Sequence, residues 1–405
     1  MLIEIHGAGF QNKGAELMLR TTLSELEAKL TQFEPAIDPT YGAYESRREL
    51  SLKQMFPARG HVGTINYSKR LRRQKQFSHP LVTKFFTRLV GQSAKSYGCV
   101  NLDEINALID ISGFAYTDQW GTQPTQDFAE LTAYYKSQNK PIILLPQAFG
   151  PFDNPKNQSA FSQIVENATI IFARDEQSYL HGIKVSNNPQ KFFKAPDITL
   201  FNLNTPPLLE VNSSAYVCIV PNARILDQGK ELWGDKYEIY LTNAIKTALE
   251  HQVKVYVVVH DSSGEDLKIA QRLCQQFSDS DVALMEEADP IRLKKFIANS
   301  LAIVGSRYHS LVAAFSQCVP AIAIGWSHKY QMLFQDFEFD RFLMSPDSSL
   351  ESFVDCLEVL LNQSENKLYR NQIHQRLEAM HLINQDMWNK VISILSEHHS
   401  SSISN

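Results

Sequence analysis

Short apolar runs alternate with helix-spaced apolar positions along almost the whole chain, and no other feature narrows the possible folds as much. In the first half, Leu2 to His6, Ala107 to Ile111, Pro141 to Leu145 and Thr169 to Ala173 read as strands, with a weaker one near Phe192. These runs are nearly continuous, as strands covered on both faces are. Behind the first, Ala15, Met18, Leu19, Leu23, Leu26 and Leu30 recur at helical spacing. Strands alternating with helices predict parallel sheets flanked by helices, so the fold class is α/β. The pattern lapses over "FNLNTPPLLEVNSSA", Phe201 to Ala215, where paired prolines, Asn and Ser predict a linker. It resumes with Tyr216 to Val220, Val253 to Val259, Val282 to Met285, Leu301 to Val304 and Ala321 to Ile324. The expected organisation is a Rossmann-like domain over 1–205 with an insert at about 45–98, a second over 206–375, and a closing helix with a frayed tail, "SEHHSSSISN", over 376–405. The 405 residues suffice for two cores, since single cores stop growing at about 250–300 residues.

Composition excludes several classes. Apolar residues at 43% and charged residues at 20% exclude a disordered or collagen-like chain. The five cysteines, Cys99, Cys218, Cys274, Cys318 and Cys356, are far apart and form no C-x-x-C pair, so reduced core thiols and no metal site are expected. The first residues already read as strand, and no apolar run approaches the roughly 18 residues of a membrane span. The expected location is cytoplasmic. The net charge of -5 conceals twelve Lys and Arg against two acids between Glu45 and Gly98. Lys69, Arg70, Arg72, Arg73 and Lys75 precede Phe77, Phe85 and Phe86, an apolar face with a basic border. Such a segment reads either as a solvated face or as peripheral contact with the anionic inner membrane surface. Nucleic acid is not expected of an acidic chain without a recognised binding motif.

Ligands of open α/β sheets bind beyond the carboxyl ends of the strands. The residues there include His6, Asn12, Lys13 and Glu16, then Ser112, Tyr116, Gln147, Arg174 and Asp175, and in the second half Asn222, Arg224, His260, Asp261, Ser306, Arg307 and His309. Cations and amides at such positions suit an anionic substrate. Asp175 and Ser310 read as helix caps. The first loop, "HGAGFQNKGAEL", fails the dinucleotide fingerprint at Asn12 and the phosphate loop at Ala15 and Glu16. The sharpest element is "GSRYHSLVAAF", which sets Arg307 and His309 at a helix start between two buried strands. Anions are favoured there, Arg307 adds a planar fork, and His309 is suited to moving a proton.

The ordered set "GFQNKGAEL", "SGFAYTDQWG", "LLPQAFGPF", "IFARDEQSYL", "APDITL" and "SRYHSLVAAFSQCVPAIAIGWSHKYQML" resembles the polysaccharide pyruvyl transferase family over nearly the whole chain. The resemblance implies two Rossmann-like domains facing a cleft, of glycosyltransferase-B type. It also implies phosphoenolpyruvate as donor and co-substrate, no cofactor, and a sugar hydroxyl pair that becomes a pyruvate ketal on a surface or exopolysaccharide precursor. By the same resemblance His309 and Arg307 are the catalytic pair, and Arg174 and Arg224, with Asn222 and Ser306 nearby, the donor side. Asn12, Lys13, Glu16, Tyr116 and Gln147 are then expected to hold the acceptor, a glycan or lipid-linked oligosaccharide. The opening loop carries Ala15 where the family commonly has an acid. Two other readings remain open on the residues alone. One is a nucleotide-sugar glycosyltransferase, its ribose held by an acid of "HDSSGED", His260 to Asp266; the other is a non-catalytic carbohydrate-binding or assembly protein.

Overall fold

The computed structural model describes residues 1–56, 98–201, 216–227, 230–262, 264–325 and 327–403. They divide into two compact units. Met1–Phe10, Met18–Pro196 and the residues from Gln385 onward form the first; Gln11–Leu17 and Asp197–Asn384 form the second.

The first unit is built on an eight-stranded, all-parallel sheet of β1 (Leu2–His6), β2 (Glu34–Ile37), β3 (Lys53–Phe56), β4 (Val100–Asn101), β5 (Ala107–Asp110), β6 (Ile142–Gln147), β7 (Ile170–Ala173) and β8 (Phe192–Lys194). Their order is β4-β3-β2-β1-β5-β6-β7-β8, so the chain reverses direction across the sheet between β1 and β5. There His6 lies in register with Asp110. The expected central strands are present and buried, because Val, Ile and Leu runs satisfy a sheet covered on both faces. Strands β2, β3 and β4 went unforeseen: they are short and carry polar residues, and they are stabilised by pairing in series from β1 out to β4 at the sheet edge. Of the two expected caps, Asp175 Oδ1 accepts from Ser178 N at 2.7 Å, whereas Ser310 lies inside the helix Tyr308–Phe315 and its Oγ donates to the Arg307 carbonyl; Asn154, before Pro155, caps its helix by accepting from Lys156 N.

The second unit holds a six-stranded parallel sheet of β9 (Val217–Val220), β10 (Val255–Val259), β11 (Val282–Glu286), β12 (Ala302–Gly305), β13 (Ala321–Ile324) and β14 (Leu343–Met344). The order is β11-β10-β9-β12-β13-β14, with its reversal between β9 and β12. Phe315 anchors its core, stacked on Phe337 at 4.4 Å and packed with Phe334 and Phe339.

Three sequence expectations change. The second unit begins at Asp197 rather than after residue 205, so "APDITL" is divided and Asp197 and Thr199 fold with the second sheet. The loop Gln11–Leu17 also folds with the second unit, although β1 before it belongs to the first. The closing helix spans Gln363–Ile403, so the tail that reads as frayed is helical through Ile403. Within the basic insert, residues 57–97 lie outside the described residues, and with them the cluster from Lys69 to Lys75 and Phe77, Phe85 and Phe86. Arg47, at its start, is buried and donates to the carbonyls of Pro39 and Gly42 and to Gln54 Oε1, so it holds a loop rather than facing an anion. Among the described residues no helix is long and apolar enough to cross a membrane.

Candidate functional site

The second unit gathers its polar residues at the sheet reversal. Asn222 follows β9, and Ser306, Arg307 and His309 follow β12. Asn222 Nδ2 donates to the Ser306 carbonyl at 2.7 Å, and Asn222 Oδ1 accepts from Arg224 N at 3.0 Å. The Ser306 carbonyl also accepts from Tyr330 OH at 2.7 Å. Asn222 and Ser306, expected on the donor side, are therefore buried struts that tie the two strand ends together. Arg224 is exposed at the start of a short helix, Arg224–Asp227.

Arg307 is not an open fork. Its Nε and Nη2 donate to Asp266 Oδ2 and Oδ1, each at 2.7 Å, and Nη1 lies 3.2 Å from Asp261 Oδ2. Burial alone would lower the guanidinium's pKa, but the two carboxylates more than offset it and raise it. Asp266 is fully buried and also accepts from Ala223 N, so this pair welds the start of the helix Glu265–Gln276 to the strand ends.

His309, in the first turn of the helix Tyr308–Phe315, is held on two sides. Its Nε2 is sealed from solvent and lies 3.7 Å from Asp197 Oδ2. Asp197 is itself fixed: its Oδ1 accepts from both Thr199 N and Thr199 Oγ1. The buried Lys294 donates to the Thr199 carbonyl at 2.8 Å, and burial pulls its pKa down to about 8 against the attraction of Asp197. On the other side stands Gly14. A Cβ on Gly14 would sit 2.1 Å from His309 Nδ1 and 2.2 Å from Cγ, so only glycine admits the imidazole there.

The loop that brings Gly14 to this place is pinned along His260 to Ser262. Asn12 forms a bridge with Asp261, Lys13 N donates to the His260 carbonyl at 3.4 Å, and Ser262 N and Oγ both donate to the Gln11 carbonyl. Asn12 Oδ1 accepts from Gly14 N, capping the helix Lys13–Lys29, and Lys13 Nζ donates to the Ala288 carbonyl. Glu16 is buried in the first turn. Asn12 and Lys13, expected with Glu16 to hold acceptor hydroxyls, seat the loop beside His309. His260 is buried nearby. Burial first, then the positive charges of His309, Arg307 and Lys13, push its pKa well below the usual imidazole value, so His260 is neutral at pH 7.

The remaining expected residues fall in the first unit. Arg174, read as donor-side, is buried there and donates through its backbone to the Gln147 carbonyl. Tyr116 and Gln147, expected to hold the acceptor, are fully buried. Gln147 Nε2 donates to Asp110 Oδ2 at 2.6 Å, Ser112 Oγ donates to Asp110 Oδ1, and Tyr116 OH lies 3.2 Å from Ser112 Oγ. Burial pushes the Asp110 carboxyl up and, with the Asp110 charge, the Tyr116 phenol well up.

Sequence reading did not single out Gly14, Asp197, Lys294 or Lys329, and it read Asp266 only among the acids that could hold a ribose. The signals existed for Asp197, in "APDITL", and for Lys329, in "SHKYQML". Lys329 occupies the first turn of the helix His328–Asp336, with Nζ 5.5 Å from the ring centres of both Tyr308 and Tyr330.

Two parallel-sheet α/β units of this kind make a glycosyltransferase-B type fold, and solved structures share it. UDP-GlcNAc 2-epimerase from Neisseria meningitidis, solved bound to UDP-GlcNAc, matches with a TM-score of 0.56 at 10% identity, covering 98% of this chain and 99% of that one. The Methanocaldococcus jannaschii UDP-GlcNAc 2-epimerase, in complex with UDP-GlcNAc and UDP, gives 0.53 at 13% identity over 90% and 94%. Anabaena HepE in complex with UDP gives 0.56 at 12% over 97% and 99%. At such identities the likeness is one of fold. No curated protein matches the sequence. The family is nevertheless defined: residues 12–328 match polysaccharide pyruvyl transferase, and the chain belongs to that family.

Proposed function

We propose that the protein transfers the enolpyruvyl group of phosphoenolpyruvate to paired hydroxyls of a glycan or lipid-linked oligosaccharide precursor, forming a pyruvate ketal. The observation that carries this reading is His309, fixed between Gly14 and Asp197 at a helix start beside the charge of Arg307. The reaction needs one carbon protonated, and a histidine with a neighbouring carboxylate is suited to it. His309 gives its proton to the methylene carbon, a sugar hydroxyl adds to the adjacent carbon, and the bond from that carbon to the phosphate oxygen breaks. The second hydroxyl closes the ketal. Of the two hydroxyl protons, one restores His309 and the other leaves on phosphate. On this reading Arg224 and Lys329 meet carboxylate and phosphate, and Arg307 supplies field and position with its fork bound to Asp266. Phosphoenolpyruvate is a co-substrate, and the reading calls for no cofactor.

The nucleotide-sugar alternative takes support from the UDP-bound structural neighbours. It requires a carboxylate for the ribose, and the two aspartates of "HDSSGED" best placed to serve, Asp261 and Asp266, are engaged by Arg307. The test is incubation of the purified protein with phosphoenolpyruvate and candidate glycans, following phosphate. Phosphoenolpyruvate at a hundred times its Kd stabilises the fold by about 2.7 kcal/mol. Stabilisation by UDP-sugars alone, with no phosphate released, overturns the proposal.

A further inference from the structure

The loop after β5 carries an aromatic ring that the chemistry at His309 does not use. It lies beyond the carboxyl end of one of the two strands at the first sheet's reversal, where open α/β sheets bind ligands. Of the three described tryptophans, Trp233 and Trp388 are 1% exposed and Trp120 is 38% exposed. A single exposed ring is ordinary by itself. Here the chain also spends a set of hydrogen bonds on holding it in place.

Trp120 closes the short turn Asp118–Trp120. Asp118 N donates to the Pro151 carbonyl, its Oδ2 accepts from Asp153 N and Asn154 N, and its Oδ1 accepts from Asn157 Nδ2 at 2.6 Å. Asn157, fully buried in the helix Pro155–Asn167, also donates to the Gly121 carbonyl at 3.0 Å. Gly121, at φ 76°, makes the turn that ends the loop. These bonds hold a tip that is itself exposed from Gln119 to Gly121, so they serve position rather than a core. Trp120 Nε1 donates to the Phe114 carbonyl at 2.8 Å, which turns the N–H edge inward and fixes the ring. Solvent therefore meets an indole whose one donor is already satisfied. Its π face attracts positively polarised hydrogens. From Asn101 to Tyr135 the chain has no Lys or Arg, and the ring's neighbours in sequence include Thr117, Gln119, Thr122, Gln123 and Gln126. Such neutral amides and hydroxyls exchange hydrogen bonds with other hydroxyls, whereas an anionic lipid surface needs cations. A pyranose fits both features, with C–H groups on one face and hydroxyls around its rim.

We propose that Trp120 is the stacking platform of a sugar-binding subsite on the first unit, taking the apolar face of a neutral pyranose in the glycan. The choice of a sugar rests on the glycan-acceptor reading above. The subsite binds only: no bond is made or broken there, and its residues all belong to the first unit.

The experiment uses the full chain and two probes, methyl β-D-galactopyranoside and methyl β-D-glucopyranoside, without phosphoenolpyruvate. Saturation-transfer NMR is expected to show binding, strongest for the galactoside at the hydrogens on C3, C4 and C5, which lie on its apolar face. Trp120→Ala is expected to weaken Kd at least about tenfold with an unchanged melting temperature. Trp120→Phe, a safeguard should the alanine variant fail to fold, keeps a ring and is expected to bind within about threefold of wild type. It is also expected to lose the change in indole emission that the glycosides cause in wild type. A Trp120→Ala protein that binds within about threefold of wild type overturns the subsite, as does the absence of any saturation signal at about 100 mM glycoside. Trp120-dependent binding to phosphatidylglycerol vesicles by a protein that ignores both glycosides overturns it in favour of a membrane contact. Phosphate release from phosphoenolpyruvate is measured separately. Trp120-dependent glycoside binding without phosphate release leaves the subsite standing and refutes the transferase reading, and phosphate release with glycoside binding indifferent to Trp120 does the reverse.

Discussion

Gly14→Ala isolates the role of the opening loop. The added methyl would meet His309 Nδ1 at 2.1 Å, Cγ at 2.2 Å and Cβ at 2.5 Å. Ordinary contacts begin near 3.5 Å, so the imidazole or the helix must give way by about 1.4 Å. The stability terms oppose one another: removing a helical glycine gains about 1 kcal/mol, while overpacking costs about 1–3 kcal/mol. The net loss is expected at about 0–2 kcal/mol, leaving the protein folded. Activity has no such offset. A displacement of about 1 Å at a reacting group costs on the order of 10² in rate, and general acids act within about 3.2 Å of their target. Steady-state phosphate release is therefore expected to fall about a hundredfold while circular-dichroism melting shifts by only a few degrees. Ala15→Ser, one residue on and half-exposed, serves as the control. A Gly14→Ala enzyme that keeps kcat within threefold of wild type refutes the claim that this loop positions His309.

Three further outcomes are expected. His309→Gln is expected to lose about 10² or more in turnover and still show thermal stabilisation by phosphoenolpyruvate, which calorimetry checks. Asp266→Asn strips one partner from a buried, bidentate pair and is expected to cost about 3–5 kcal/mol in urea unfolding; a loss under 1 kcal/mol means Arg307 is not held as its geometry indicates. Lys294 has a native pKa of about 8 against 10.5 unfolded. Above 10.5 both states are neutral. As pH falls the unfolded state binds the proton first, so a stability penalty grows between 10.5 and 8 and is complete below 8. Wild-type urea midpoints are thus expected to rise from pH 8 to 10.5 more steeply than those of Lys294→Met, and parallel curves contradict the assignment.

The central strands, the α/β class and the helix start bearing Arg307 and His309 were legible in the sequence because each is written in local periodicity. Leu2–His6 and Ala321–Ile324 are strands to the residue. The short strands β2, β3, β4 and β14 were not, since pairing rather than pattern stabilises them. The site divides in the same way. "SRYH" announces a proton-moving group at a helix start, but nothing local in "NKGAE" states that Gly14 will lie against a ring 295 positions later, or that Asn12 and Lys13 will be spent on seating it. Nor does "APD" state that its carboxylate will stand behind that ring, or "GED" that its aspartate will close the fork of Arg307. Such pairs are separated widely along the chain and meet only when the parallel strands bring their carboxyl ends to one edge. Residue type along the chain specified which chemistry was available; tertiary packing decided which groups face one another, because a charge or a hydroxyl spent on a neighbouring atom is no longer there for a ligand.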